Sequence, residues 1–251
     1  MIALPASFLT RPIAHRGYHN TDDGRVENSP AAIRAAIKAG YGIEIDVQRS
    51  SDDIAMVFHD YDMARLTGQA GPIQLVPSDQ LQHTPLVGGR DKVPTLDQVL
   101  QIVAGSVPLL IEIKDQDGAM GPDVGALEQA VARSLQQYKG DVAVMSFNPH
   151  AIAAFRQYDK THAVGLVTDP FTQTDWPTIP ASRRAELALM HDLDRLGCSF
   201  ISHNRADLHS PAVARAQASG RNILCWTVRN REQETQARQI ADNITFEGYA
   251  A

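Results

Sequence analysis

From Leu109 to Phe246 the chain repeats one unit: a short apolar run, a polar turn, then a segment with apolar residues at helical spacing. The runs occupy 109–113, 142–147, 163–167, 198–202, 222–227 and 243–246. Between them come Leu127-Val131-Leu135-Tyr138, Ile152-Phe155, the pattern at 183–196, a segment opening on Ser210-Pro211 and stopping at Gly220, and one capped by Asn230 with Gln233. Continuous apolar runs alternating with amphipathic segments require a parallel sheet covered by helices. Two more strands are expected upstream, at 12–15 and 42–47. The helix between them is marked by Ser29 as N-cap, Pro30 in the first turn, Ile33 and Ile37 as its stripe and Gly40 as its stop. Another begins at the capping-box pattern Thr95-Leu96-Asp97-Gln98 and runs to Gly105. Eight strand units close a (β/α)8 barrel, and 251 residues is a usual length for one such domain. An open doubly wound sheet is the other arrangement, but no G-x-G-x-x-G follows a first strand.

Two stretches break the alternation. Only six residues separate Val47 from Ile54, too few for a helical crossover, so 54–58 is expected as a hairpin-like extension. Asp60 to Val93 holds four glycines and three prolines with no clear period. A connection that long is usually functional, and this one is expected as a small irregular insertion over the C-terminal face of the barrel.

The chemistry concentrates at strand ends. Glu44 and Asp46 stand at i, i+2 on an apolar strand and therefore share one face. Alternating carboxylates also occur on ordinary half-exposed strands, but here the device repeats: Glu112 and Lys114 show the same spacing. His15-Arg16 ends the first strand, and Met56-Val57-Phe58 delivers His59. The C-terminal ends of barrel strands form the active face. Like charges side by side call for a cation between them, and a divalent ion is the usual solution.

A net charge of −6 argues against nucleic acid or an anionic membrane as main partner. An anionic substrate would need local positive charge, from Arg16, Lys114 and a metal. Cys198 and Cys225 lie in apolar runs without zinc spacing and read as reduced core thiols. No stretch approaches the ~20 apolar residues of a membrane helix, and the N-terminal residues lack a basic n-region. A cytoplasmic protein without integral membrane association is expected.

Taken in order, H-R-G at 15–17, E-N-S-P-A-A at 27–32, G-I-E-I-D-V at 42–47, V-F-H-D at 57–60, V-P-T-L-D-Q-V-L at 93–100, I-E-I-K at 111–114, S-F-N-P at 146–149 and W-T-V at 226–228 resemble the glycerophosphodiester phosphodiesterases. The resemblance implies a TIM barrel that hydrolyses small glycerophosphodiesters to glycerol 3-phosphate and an alcohol. It implies Glu44, Asp46 and Glu112 as ligands of one divalent cation, and His15 and His59 as acid and base without saying which is which. Arg16 and Lys114 would anchor phosphate. An all-carboxylate set suits Mg²⁺ or Ca²⁺ better than zinc. The family's mechanism has the glycerol 2-hydroxyl attack first, giving a cyclic phosphate that water opens.

Several residues carry weaker expectations. Trp226 ends an apolar strand, where a core role competes with the pocket role implied by W-T-V. Glu27, beside a helix start, is read as structural, Asn148 as either a cap or a site residue, and His203 as the other histidine nearest a strand end. Where the family pattern ends in aspartate, this chain has Glu247, whose equivalence is open. Two other functions compete. A lysophospholipase D-like hydrolase would use apolar residues of 60–93 (Leu66, Ile73, Leu75, Val76, Leu81, Leu86 and Val87) as an acyl groove. A catalytically inactive barrel binding phosphorylated ligands has no need of a paired acid and base.

Overall fold

The computed structural model describes residues 1–251. Its strands are β1 (Ile13–Ala14), β2 (Gly42–Arg49), β3 (Ala55–Val57), β4 (Leu109–Ile113), β5 (Val142–Ser146), β6 (Ala163–Thr168), β7 (Phe200–Asn204), β8 (Asn222–Val228) and β9 (Asn243–Phe246). Parallel pairing runs in the order β1, β2, β4, β5, β6, β7, β8, β9 and returns to β1, closing an eight-stranded barrel. β3 lies outside the ring, antiparallel to β2 with Val47 opposite Val57, as the short connection required. The helices are α1 (Ser7–Thr10), α2 (Pro30–Ala39), α3 (Ala64–Thr67), α4 (Ser78–His83), α5 (Leu96–Val103), α6 (Ala126–Leu135), α7 (Pro149–Tyr158), α8 (Ala181–Leu189), α9 (Asp192–Arg195), α10 (Pro211–Ala218) and α11 (Arg231–Ala237). No helix is long and apolar enough to cross a membrane.

Period-2 alternation divides the strand residues between two cores. Ile43, Ile45, Val47, Ile111, Ile113, Val144, Ile201 and Cys225 face outward and pack under helical residues such as Ile33, Val99, Val131 and Phe155. Ile13, Leu110, Ala143, Val167, Phe200 and Leu224 face inward. Phe8 of α1 joins that inner cluster, and Asn243 Nδ2 donates to the carbonyls of Phe8 and Arg11, tying this N-terminal turn to the barrel. Phe200 is fully buried, worth roughly 1.5–3 kcal/mol by apolar transfer. Its ring needs Gly165 beside it on β6: a Cβ there would meet the ring at 2.5 Å, so Gly165→Ala would break this layer. Both cysteines are buried and free, and burial pushes each thiol up to about 12, consistent with inert core residues.

Two expectations need correction. The helix read over 183–196 is two: Met190 takes a left-handed conformation (φ 55°) that ends α8, and α9 starts again at Asp192. The run at 198–202 becomes a strand at Phe200 and continues to Asn204: Cys198 N–H still bonds back to Leu193 O at the end of the preceding helix, and Ser199, whose N–H reaches Val164 O, makes the first bond to β6. The insertion is better organised than its composition implied. It holds α3, α4 and a single-turn 3₁₀ helix at Ile73–Leu75 around its own core of Met63, Leu66, Ile73, Leu81, Leu86 and Val93, packed on Val26, Met56 and Phe58.

Candidate active site

Parallel register between β2 and β4 sets Asp46 directly beside Glu112. Glu44 lies one inward position below Asp46, so the three carboxylates converge inside the barrel mouth, with one oxygen from each within 4.8 Å of the others. All three are buried. Lys114 continues the inward phase of β4, and its Nζ sits 2.8 Å from Asp46 Oδ1 and 2.8 Å from Glu112 Oε1. Burial alone would discharge that ammonium, but the two carboxylates outweigh it and hold the lysine above its ordinary value. Burial would likewise raise Asp46, yet Lys114, His59 and Arg16 hold it well below the carboxylate range.

Glu44 is the unbalanced member. Its Oε2 accepts from the Arg16 backbone N–H at 2.9 Å, while Oε1 is buried without a partner. Burial, with the charges of Asp46 and Glu112 alongside, pushes its pKa well up. A buried carboxylate oxygen with no donor, facing two more carboxylates, fits a hard divalent cation as the missing partner.

The loop after β1 shapes one wall. Arg16 and Asn28 both adopt left-handed backbone (φ 55° and 58°), and Asn28 N–H donates to Arg16 O at 2.8 Å. Asn28 then grips Asp46 twice: Nδ2 donates to Asp46 Oδ2 at 2.9 Å, and Oδ1 accepts from Asp46 N–H at 3.2 Å. Arg16 donates from Nη1 to Glu27 Oε1 at 2.7 Å, and its Nε lies 3.5 Å from Asp46 Oδ2.

Each histidine has its own carboxylate. His15 Nδ1 is 2.5 Å from Glu247 Oε2, and His59 Nδ1 is 2.7 Å from Asp60 Oδ1. A carboxylate only accepts, so each Nδ1 carries the proton and each Nε2 is left for other work. Burial pulls His15 below its ordinary value despite the opposing pull of Glu247. Arg229 donates to the other oxygen of Glu247 at 2.8 Å.

Arg65, on α3 of the insertion, joins the two sides. It forks onto Glu27 with two bonds of 2.8 Å and onto Asp60 with bonds of 2.6 and 2.8 Å. Glu27, between two guanidinium groups, falls to about 2 although burial works the other way. Its role is to hold Arg16, not to complement the α2 dipole, since that helix starts only after Ser29.

His15, Arg16, the three carboxylates, His59, Lys114 and Trp226 line a cavity of about 180 Å³. Trp226 stands in its wall, donating from Nε1 to Ser202 O at 2.9 Å, with its ring edge-on to Phe147. The cavity adjoins a cleft of about 670 Å³ walled by Tyr61, Arg65, Met120, Phe147 and Trp176. Phe147, Phe171 and Trp176 pack on one another there with centroids 4.9–6.2 Å apart.

Asn148 and His203 lie apart from this constellation. Asn148 caps α7 by accepting from His150 N–H at 2.9 Å and donates to Asp115 Oδ1 and Gly121 O, both at 2.8 Å. His203 shares the outward phase of Ile201 and is buried between Thr168 Oγ1 (2.8 Å) and Asp207 Oδ2 (3.1 Å). Asn28, Asp60, Arg65 and the aromatic cleft were not assigned roles from sequence. Asn28 and Asp60 stood inside recognisable motifs, whereas nothing local to Arg65 or Trp176 signals a site.

The chain is 26% identical over 242 residues to YhdW of Bacillus subtilis, spanning 92% of this chain and 90% of that protein. It is 28% identical over 250 residues to glycerophosphodiester phosphodiesterase 1 of Bos taurus, covering 89% of this chain and 73% of the relative. Its fold is similar to that of an Oleispira antarctica phosphodiesterase solved with the product sn-glycerol-3-phosphate: TM-score 0.75 and 22% identity over 96% of this chain and 94% of that one. Residues 15–245 match the glycerophosphoryl diester phosphodiesterase family, and over that span the chain belongs to it.

Proposed function

We propose that this protein hydrolyses glycerophosphodiesters to glycerol 3-phosphate and an alcohol, using His15 and His59 as the proton-transfer pair and a divalent cation held by Glu44, Asp46 and Glu112. The observation that carries the reading is the pair of imidazoles, each with Nδ1 fixed by a carboxylate, around one cavity with the acidic triad. The structure of the Oleispira phosphodiesterase in complex with its product sn-glycerol-3-phosphate supports the same substrate class.

Arg16 and Lys114 receive the anionic phosphate oxygens, and substrate binding draws Lys114 from its two carboxylates. One neutral Nε2 takes the proton of the glycerol 2-hydroxyl as its oxygen bonds to phosphorus. The other imidazole, protonated, delivers its proton to the alkoxide as the phosphorus–oxygen bond breaks. Water then opens the cyclic phosphate with the two roles exchanged. The cation, Mg²⁺ or Ca²⁺ by the donor set, supplies charge neutralisation at the phosphoryl oxygens when bound.

The leaving alcohol occupies the cleft walled by Tyr61, Met120, Phe147 and Trp176. An acyl groove in the insertion has less support, since Leu66, Ile73, Leu81 and Leu86 are buried in its own core. An inactive binding barrel leaves the two carboxylate-oriented imidazoles unexplained. A panel of glycerophosphodiesters and lysophospholipids assayed with and without EDTA tests the reading. Turnover of glycerophosphodiesters abolished by EDTA and restored by Mg²⁺ or Ca²⁺ is expected; turnover insensitive to EDTA, or none on any diester, would overturn it.

A further inference from the structure

The cleft of about 670 Å³ beside the catalytic cavity is lined by no serine, threonine, asparagine or glutamine. Apart from charged groups and His59, it presents the rings of Tyr61, Phe147 and Trp176 with Ala64 and Met120. Phe147 follows β5 and Trp176 lies in the loop after β6; the two rings are tilted on one another at 4.9 Å and backed by buried Phe171. Tyr61, from the insertion, is 54% exposed and stands outside that stack, so its ring is free to meet a ligand. The Trp176 indole N–H donates to Asp169 Oδ1 at 3.3 Å, and an anion at the N–H edge makes the ring's face more electron-rich.

The charges of this wall do not cancel. Arg65 is taken by Glu27 and Asp60, and Lys114 by Asp46 and Glu112. Asp62 and Asp115 are held by neutral donors only. Asp62 accepts from the backbone N–H groups of Ala64 (2.8 Å) and Gly71 (3.0 Å). Asp115 accepts from Asn148 Nδ2, Gly118 N–H and Met120 N–H at 2.7–3.2 Å. Neutral donors solvate a carboxylate without cancelling its charge, so both carry a field into the cleft. That field is felt at Tyr61, whose hydroxyl is pushed up to about 12 by partial burial and then by the charge of Asp115. Asp115 is buried and the oxygens of Asp62 are occupied, so neither awaits a hydrogen bond from a ligand. A headgroup rich in hydroxyls would find few neutral partners here, and an anionic one would meet charge of its own sign. A cation without N–H groups matches both features: its methyl groups lie on aromatic faces, and its charge needs only the field.

We propose that this cleft is a quaternary-ammonium site: the alcohol that leaves phosphorus carries a fixed positive charge, seated against Tyr61, Phe147 and Trp176 within the field of Asp62 and Asp115. This rests on the glycerophosphodiester reading above and adds the chemical class of the leaving alcohol. The cleft and the catalytic cavity share His59, Glu112, Lys114 and Phe147, which sets the headgroup next to the phosphoryl group. A substrate with one anionic and one cationic centre spans the two.

The experiment compares glycerophosphocholine with its 3,3-dimethylbutyl isostere, in which carbon replaces the ammonium nitrogen at unchanged shape. The ratio of their kcat/KM values is read in the full chain for wild type, Trp176→Leu, Tyr61→Leu and Asp62→Asn. Within one protein that ratio is blind to partial loss of folded enzyme. The intrinsic reactivity of the two alcohols is common to all four proteins, so the change of ratio isolates the cleft. It should fall roughly tenfold in Trp176→Leu, the worth of a cation on an indole face, and about threefold in the other two. A second arm needs no turnover. Choline, titrated at matched ionic strength against sodium, should quench tryptophan fluorescence saturably, about tenfold more tightly than 3,3-dimethylbutanol and about threefold less tightly in Asp62→Asn. If the wild type cleaves no diester, the functional reading fails and this arm alone decides the site. Ratios unchanged in all three variants, equal binding of choline and the neutral alcohol, or a wild-type preference for glycerophosphoinositol or glycerophosphoserine over glycerophosphocholine would each overturn the cation site.

Discussion

Glu247 Oε2 lies 2.5 Å from His15 Nδ1, joining the residue after the last barrel strand to the residue after the first. Pairing of β1 with β9 makes this contact, and the His15 N–H donating to Phe246 O at 2.9 Å sets the two side chains level. The glutamate thus stands where an orienting carboxylate for His15 is needed, and Arg229 fixes its other oxygen.

Glu247→Gln keeps an acceptor for the Nδ1 proton but removes the charge. The carboxylate opposes the depression of His15 by burial, so its loss lowers that imidazole further. The limb of the kcat/KM profile that His15 governs, acid if it is the base and alkaline if it is the acid, should move to lower pH, with kcat down by ~10-fold or more as the imidazolium loses its counter-charge. A profile unmoved against wild type would show that His15 does not set that limb.

Alanine at His15 or His59 should each lower kcat by ~10²-fold or more at wild-type Tm, the ordinary worth of a positioned acid or base. Near-normal turnover by His59→Ala would make that residue structural.

Glu44 governs the metal-free protein. Because burial and its acidic neighbours raise its folded pKa above the ordinary 4.5, its stabilising protonated form is complete below that value and is lost as pH rises through the raised one. Glu44→Gln should therefore be the more stable protein without metal, by a Tm margin that widens as pH climbs above 4.5. Calorimetry should show one Mg²⁺ or Ca²⁺ site in the wild type, lost in Glu44→Gln and in Glu112→Gln. Wild-type binding by both variants would remove the triad from consideration as a cation site.

Arg65 acts through others. Its two forks align Glu27 with Arg16 and Asp60 with His59, so Arg65→Gln should lower kcat by ~10-fold or more through misplacement of both groups. Lysine at this position cannot fork onto two carboxylates and should restore only part of the loss. In an Asp60→Asn background the Arg65→Gln effect should shrink, because contacting residues couple. Full additivity would separate Arg65 from His59.

Headgroup choice should follow the aromatic cleft. Trp176→Ala and Tyr61→Ala should reorder kcat/KM among diesters differing only in the leaving alcohol, while hydrolysis of the smallest survives best. Replacing 71–88 wholesale is a blunter test, because Ile73, Leu81 and Leu86 support Phe58 beside His59. An unchanged ranking in both point variants would place headgroup selection elsewhere.

The barrel was legible in the sequence because its strands are buried on both faces and its helices on one, so hydrophobic period reports each element directly. The same period put Glu44 with Asp46 and Glu112 with Lys114, since i, i+2 in a strand is a purely local relation. Ser29, Thr95, Ser210 and Asn230 announced their helices for the same reason: each cap bonds a backbone N–H within three residues. What joins distant segments had no such signature. The level pairing of Asp46 with Glu112 is a matter of inter-strand register, and the 2.5 Å contact of His15 with Glu247 spans 232 positions. Arg65 reads as an ordinary surface arginine until the insertion folds on its own core and swings it onto Glu27 and Asp60. The unpartnered Oε1 of Glu44 is defined by what fails to surround it. Local propensity and period therefore determined the elements and the ends at which chemistry would gather. Only closure of the barrel decided which charges balance, which histidine meets which carboxylate and which buried atoms are left without a partner, because those are sums over neighbours far apart in the chain.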